Sequence, residues 1–336
     1  MRPRMPAPVI VVIPNFNGAH LLGECVGSAL NQTLPPGEVL VVDDGSTDDS
    51  PQLAVSLGAR VLALGRNQGF AHAVNAGVLD ARAEWVAIVN SDVTLAPDWI
   101  ARSLAAAHAA HAEYAGGPIT RYDNPGVLDG GYDLLSRAAC PWRAGSGFPV
   151  ATLQVPQGPW LPSLTALLIR RQTFIDAGLL DEAFGSYLED VDFALRLQRR
   201  EVPGVFVPDA RAAHRGSATF GAWSARATRL QSRNQALLVA RHYPDGWLNE
   251  YGRAVFAGQL LWGALALRHG VAGAWLLGKL DALRSWRRLR RICTPAEAGR
   301  LAANFTAWER AILDWQGDPP RDAFWRWYFR LAGRQG

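Results

Sequence analysis

Short, largely apolar runs alternate with helical periodicities between residues 8 and 111. The runs fall at 9–13, 39–42, 60–64 and 85–89 and are rich in Val, Ile and Leu. Such unbroken apolar sequence predicts strands covered on both faces, as in a parallel sheet. Between the runs, Leu21, Leu22, Cys25, Ala29 and Leu30 recur at helical spacing, and 51–57 and 70–82 continue the alternation. Repeated βα units connect by right-handed crossovers. They imply an α/β, doubly wound, mostly parallel sheet with helices on both faces and a ligand site at the carboxyl ends of the strands.

Periodicity is lost over 116–163, where Gly, Pro, Trp and Tyr are frequent; a long irregular stretch inside a domain is usually functional. Order returns as a strand over 164–170, a helix over 189–201 and a short strand over 204–207. From about residue 218 the pattern is helical to the end, broken at Pro244, near Gly270, at Thr294-Pro295 and at Pro319-Pro320.

Composition narrows the class. The 336 residues are 49% hydrophobic and 19% charged with 13 Trp, which excludes a disordered chain. Cys25, Cys140 and Cys293 are far apart and form no CxxC, against a disulfide framework or a structural zinc site and in favour of a reduced, cytoplasmic setting. Arg2 and Arg4 precede only five apolar residues, too few for a signal peptide, and no apolar run reaches 18 residues. Charge is uneven: residues 1–224 carry 16 basic and 22 acidic side chains, residues 225–336 carry 18 and 8. Two domains are therefore expected, 1–240 and a basic, aromatic-rich helical region over 241–336. No nucleic-acid recognition motif accompanies the basic charge.

Four constellations carry candidate chemistry. Asp43-Asp44-Gly45-Ser46-Thr47-Asp48 follows a strand; it reads as a turn and helix cap, or as carboxylates accepting hydrogen bonds from a nucleobase or ribose. No GxGxxG or Walker loop is present. Asn90-Ser91-Asp92 ends the next apolar strand, either as an Asx-turn or as oxygen ligands for Mg²⁺ or Mn²⁺ with a diphosphate completing the shell. In Glu189-Asp190-Val191-Asp192 the helix dipole and an Asp192–Arg196 pair account for Asp192. They account less well for Glu189 and Asp190, which lie among apolar and aromatic neighbours where a carboxylate would deprotonate a hydroxyl. His214 is a structural histidine or a ligand returned to the same edge.

Together these segments resemble the family 2 inverting glycosyltransferases of GT-A fold, through much of the first 240 residues. Val11-Val12-Ile13-Pro14-Asn15-Phe16-Asn17-Gly18 is similar to the family's opening strand and loop, and Asp43-Asp44-Gly45-Ser46-Thr47-Asp48 to its nucleotide signature. Asn67-Gln68-Gly69-Phe70-Ala71 with Asn75, then Asn90-Ser91-Asp92, then Asp181-Glu182-Ala183-Phe184 with Tyr187 to Asp192 and Arg196, follow in the family's order. The Asn-Ser-Asp variant and the trailing His214 most resemble bacterial rhamnosyltransferase-like and galactofuranosyltransferase-like members, which serve cell-envelope polysaccharide synthesis.

The resemblance implies a nucleoside-diphosphate sugar donor and a glycan or lipid-linked acceptor. It places Asp44 on the nucleobase with Asp43 beside it and Phe16 against the base. Pro14, Asn17, Asn67, Gly69, Asn75, Asn90 and Ser91 complete the donor pocket. Asp92 and His214 become ligands of Mg²⁺ or Mn²⁺, and Asp190 the catalytic base with Glu189 adjacent. The family's metal motif has two acids, whereas Asn90 and Ser91 leave one. A catalytically inactive nucleotide-sugar-binding subunit and a nucleotidyltransferase are the alternatives. In the C-terminal third, the Arg284–Arg291 cluster and Phe324-Trp325-Arg326-Trp327-Tyr328-Phe329-Arg330 suit a peripheral contact with the inner face of the cytoplasmic membrane. A helical subdomain turning its aromatics inward, or into a homodimer, suits them equally.

Overall fold

The computed structural model describes residues 7–216 and 223–333; residue 218, where the helical pattern is expected to begin, and Arg2 and Arg4 lie outside the described residues. The chain divides into two compact units. The first comprises residues 1–132, 145–156 and 162–216, the second 133–144, 157–161 and 217–336.

The first unit follows β1 (Ala7–Asn15), α1 (Ala19–Leu30), β2 (Pro36–Asp43), α2 (Ser50–Ser56), β3 (Arg60–Ala63), α3 (Phe70–Asp80) and β4 (Trp85–Val89). It continues through β5 (Val93–Leu95), α4 (Trp99–Ala109), β6 (Tyr114–Gly116), β7 (Ile119–Arg121) and β8 (Leu128–Gly130). After β9 (Asp133–Leu135) and β10 (Pro141–Arg143), which belong to the second unit, it resumes. The remaining elements are β11 (Ala166–Arg170), α5 (Arg171–Asp176), α6 (Glu189–Arg199), β12 (Gly204–Phe206) and β13 (Ala212–His214).

Seven strands form the main sheet in the order β12-β6-β11-β4-β1-β2-β3. β4, β1, β2 and β3 are parallel, while β11 runs antiparallel to both β4 and β6. The unbroken apolar runs are explained by two-sided burial: Val9 to Ile13 and all of β4 are buried, each Val or Ile contributing ~1.5–3 kcal/mol. Pro14 lies in the sheet beyond Val12–Ile88, the last pair with β4, so its missing N–H costs that ladder nothing. Helix α3 lies close against the sheet at Gly77, where a Cβ would stand 2.4 Å from Val12 Cγ1. A second sheet, β5-β13-β7-β8, joins β5, which follows β4, to β7 and β8 of the irregular stretch through the chain's return at β13.

The second unit is mainly helical: α7 (Ala225–His242), α8 (Trp247–Glu250), α9 (Gly252–Arg268), α10 (Ala272–Leu289), α11 (Pro295–Gln316) and α12 (Ala323–Ala332). The expected break at Thr294-Pro295 is a capping box, Thr294 Oγ1 accepting from the Glu297 N–H and Glu297 accepting from the Thr294 N–H. Segments 133–144 and 157–161 join this unit: β9 pairs with β10, and Trp308 Nε1 donates to the Pro159 carbonyl at 2.8 Å. Glu309 is the unit's polar knot. Its oxygens accept from Arg137 N–H (3.0 Å), Arg137 Nε (2.9 Å) and Tyr328 OH (2.5 Å), and Tyr243 OH donates to the Arg137 carbonyl. Lys279, the chain's only lysine, donates to the Ser232 carbonyl and to Gln259 Oε1, and burial pulls its ammonium down to about 8.

The aromatic run of α12 follows the inward-packing alternative. Trp325, Tyr328 and Phe329 are buried, with Trp325 and Trp315 set edge-on around Trp142; only Trp327 is well exposed. Among the described residues, no helix is long and apolar enough to cross a membrane.

Candidate active site

β1 and β2 end side by side, with Asn15 paired to Asp43 in register and the Asp44 N–H donating to the Asn15 carbonyl at 2.9 Å. The turn after β2 folds onto the turn after β1. Ser46 Oγ accepts from Asn17 N–H (2.9 Å) and Asn15 Nδ2 (3.3 Å), while Asn17 Oδ1 accepts from Thr47 N–H (2.7 Å). Asp48 then takes the Ala19 N–H at the start of α1. Gly45 makes the turn possible: its φ is +76°, and a Cβ there would lie 2.6 Å from the Arg66 backbone.

Asp43 and Asp44 have different surroundings. Asp44 accepts the backbone N–H groups of Gln68 and Gly69, one on each oxygen at 2.8 Å, and so anchors the loop after β3. Burial raises its carboxyl above the ordinary range against the lowering effect of those two amides. Asp43 takes the Ser46 N–H on Oδ2 at 3.2 Å, while its Oδ1 is buried with no partner among the described residues. Asn67 is exposed on the same loop and Phe16 is half-buried on the first turn. Asn75, in α3, has its amide occupied by the Leu180 N–H and carbonyl and by Glu182.

The end of β4 lies next to this cluster, since a Cβ on Gly18 would meet Asn15 Oδ1 at 2.3 Å and Ser91 Oγ at 3.6 Å. The Asn90 N–H donates to the Thr165 carbonyl, and Asn90 Oδ1 is buried without a partner among the described residues. Pairing of β13 with β5 sets His214 opposite Val93, with Nε2 3.1 Å from Asp92 Oδ2. Nδ1 is 2.8 Å from Asp129 Oδ2 in β8. Burial opposes the charge on His214, but the two carboxylates outweigh it and raise the imidazole to about 9. Asp129 was not a sequence candidate. It lies in a three-residue strand inside the aperiodic stretch, and only the β-sheet pairing brings it to His214.

Helix α6 is tied to the same edge through Gly185, whose carbonyl accepts the Ala71 N–H next to the Asp44-anchored loop. His72 Nδ1 lies 3.0 Å from Glu182. Tyr187 and Leu188 then take φ of 66° and 63°, two successive left-handed non-glycine residues of the kind that persist where surrounding structure holds them. They deliver Glu189 and Asp190 at the helix start. Glu189 is buried, its Oε2 has no partner among the described residues, and burial together with the Asp190 charge pushes its carboxyl well above the usual range. Asp190 is half-buried and accepts the Val191 N–H at 2.8 Å. The expected Asp192–Arg196 pair is present and buried, at 3.0 Å from Nε.

The parallel strands β1, β2 and β4 gather their terminal polar residues at the carboxyl edge, where α/β sheets bind ligands. Residues 10–174 match the family model "Glycosyl transferase family 2". The N-acetylglucosaminyl-diphospho-decaprenol L-rhamnosyltransferase of Mycobacterium tuberculosis is 29% identical over 266 residues, 71% of this chain and 85% of that protein. Succinoglycan biosynthesis protein ExoO of Rhizobium meliloti is 39% identical over 110 residues, 32% of each chain. Two solved structures share the fold at 16% identity. GalNAc-T7 with UDP, GalNAc and Mn²⁺ has a TM-score of 0.55, covering 82% of this chain and 56% of its own. Mannosyltransferase PcManGT from Pyrobaculum calidifontis in complex with GDP-Man and Mn²⁺ has a TM-score of 0.53, covering 98% and 88%. Residues 10–174 thus carry a family 2 glycosyltransferase domain, and the fold is GT-A. Within that family it resembles the rhamnosyltransferases.

Proposed function

We propose that the protein is an inverting transferase that moves a sugar from a nucleoside-diphosphate sugar to a hydroxyl of a glycan or lipid-linked acceptor. The carrying observation is a set of four buried oxygens without partners among the described residues, Asn15 Oδ1, Asp43 Oδ1, Asn90 Oδ1 and Glu189 Oε2, at strand ends and at the start of α6. Acceptors left open in this way suit a ligand rich in N–H and O–H donors. Asp43, with a free oxygen, takes the nucleobase N–H, and Asp44 acts as the post of the loop behind it. Asp190 takes the acceptor's proton as its oxygen attacks the anomeric carbon, and the nucleoside diphosphate leaves from the opposite face. Burial and the neighbouring Asp190 charge favour the protonated form of Glu189, which sets the two carboxyls apart. The mycobacterial relative's decaprenol-linked substrate favours a lipid-linked acceptor here.

Asp92 Oδ2 and His214 Nε2 are close enough for one hard cation, which would take the place of the Nε2 proton while Asp129 keeps Nδ1–H. Among the described residues no third acid, His or Cys completes a cage, so the donor's diphosphate would supply the remaining ligands. When bound, Mg²⁺ or Mn²⁺ stabilises charge on the leaving diphosphate. The test is a screen of UDP-, dTDP- and GDP-sugars with and without Mn²⁺. One donor should raise the melting temperature and release nucleoside diphosphate on transfer. Asp92→Ala should weaken that donor and remove its cation dependence. Pyrophosphate release, or no stabilising sugar nucleotide, sinks the reading; full activity after EDTA treatment removes the cation.

A further inference from the structure

We propose that the α9–α10 hairpin is a docking surface for an anionic lipid bilayer, on which the protein rests peripherally. The hairpin exposes Phe256, Leu260 and Leu267 on α9 and Leu276, Leu277, Leu280 and Leu283 on α10, each between 47% and 70% accessible. Spacings of three, four and seven residues gather each set into one stripe. The opposite sides face the core of the unit. A Cβ on Gly258 would lie 2.3 Å from Ala138 Cβ, and one on Gly278 would lie 2.4 Å from the Arg229 carbonyl of α7. The seam between the helices is set by Gly263 against the Trp275 ring and by Gln259 with Lys279. In an antiparallel pair with its core sides and seam so fixed, both stripes emerge on the same outer face. They form one apolar layer.

The chemistry of this layer selects its occupant. Arg284 and Arg287 prolong the α10 stripe, and Arg288 and Arg291 flank its end, all exposed. Asp281 is the only acid on α10, and Arg229 (2.6 Å) and Arg284 (2.8 Å) both hold it. A second copy of the chain would bring further arginines to a surface already basic. A bilayer with anionic headgroups offers opposite charge to the arginines and hydrocarbon to the leucines. With no helix both long and apolar enough to span among the described residues, the hairpin lies in the interface plane.

The experiment is co-sedimentation of the full chain with phosphatidylglycerol–phosphatidylcholine vesicles and with phosphatidylcholine vesicles alone. Binding should be confined to the anionic vesicles and should weaken with salt. The triple variant Arg284→Gln, Arg287→Gln, Arg288→Gln should lower the partition coefficient roughly a hundredfold at low salt. Leu276→Ser, Leu280→Ser, Leu283→Ser should lower it roughly tenfold or more. If that triple variant melts early, Leu283→Ser alone carries the test. Equal binding to both vesicles, binding to neither, or a dimer in sedimentation that the leucine variants split would overturn the proposal, the last by giving the face to a second copy.

Discussion

Two of the places where the molecule buries carboxylates treat the oxygens in opposite ways. Around Glu309, Arg137 supplies a backbone N–H and a guanidinium and Tyr328 a hydroxyl, so both oxygens are occupied. Around the ends of β1, β2 and β4 and the start of α6, Asn15, Asp43, Asn90 and Glu189 each keep an oxygen with no partner among the described residues. A buried acceptor left open costs about 1–3 kcal/mol, and four gathered near one edge suit a ligand that would fill them. Satisfaction, rather than burial, separates the strut from the site.

Substitutions can test that contrast. The largest expected effect is at Asp190. Asp190→Asn should slow transfer by roughly 10²–10⁴-fold while donor affinity and melting temperature hold, as a group used by the reaction and not by the fold. Near-wild-type turnover would remove it from the mechanism. At the strut the signs reverse. Glu309→Leu leaves Arg137 buried and uncompensated and should cost about 3–5 kcal/mol in denaturant unfolding, and adding Arg137→Met should recover much of it. A loss below about 1 kcal/mol would mean that the knot is not structural.

The smallest effect is on pH dependence. In the folded chain Glu189 keeps its proton to higher pH than an unfolded glutamate, which titrates near ~4.3. Between those two values the folded state binds more protons, so stability falls as pH rises through the window. Glu189→Gln cannot ionise. It should melt like wild type near pH ~4 and above wild type at neutral pH. A melting-temperature series with identical curves at both ends would show Glu189 to be partnered or hydrated.

Much of this was legible from the chain alone, for physical reasons. Two-sided burial makes Val9–Ile13 and Trp85–Val89 unbroken apolar runs, so the parallel strands and the carboxylates beyond them stand out. The Asp192–Arg196 pair is local and follows from helical spacing. Asp129 did not stand out, because its strand is three residues long and its partner is 85 residues away. Asn75 and Asp44 sit in the expected motifs, but only coordinates reveal that Leu180, Gln68 and Gly69 already occupy them. Nor did the pattern reveal that segments 133–144 and 157–161 belong to the helical unit, because a strand two or three residues long has no period to read.

Lys279 gives the helical unit a built-in chemical reporter. It is the only lysine amine in 336 residues, and it is held between α7 and α9 by Ser232 and Gln259. Half-buried and hydrogen-bonded there, it should be acylated by an amine-reactive dye faster when that seam opens. Its labelling rate therefore clocks the separation of α10 from α7 and α9 without any engineered tag. With its ammonium drawn down to about 8, the amine is already nucleophilic at mildly alkaline pH, so access and not protonation limits the reaction.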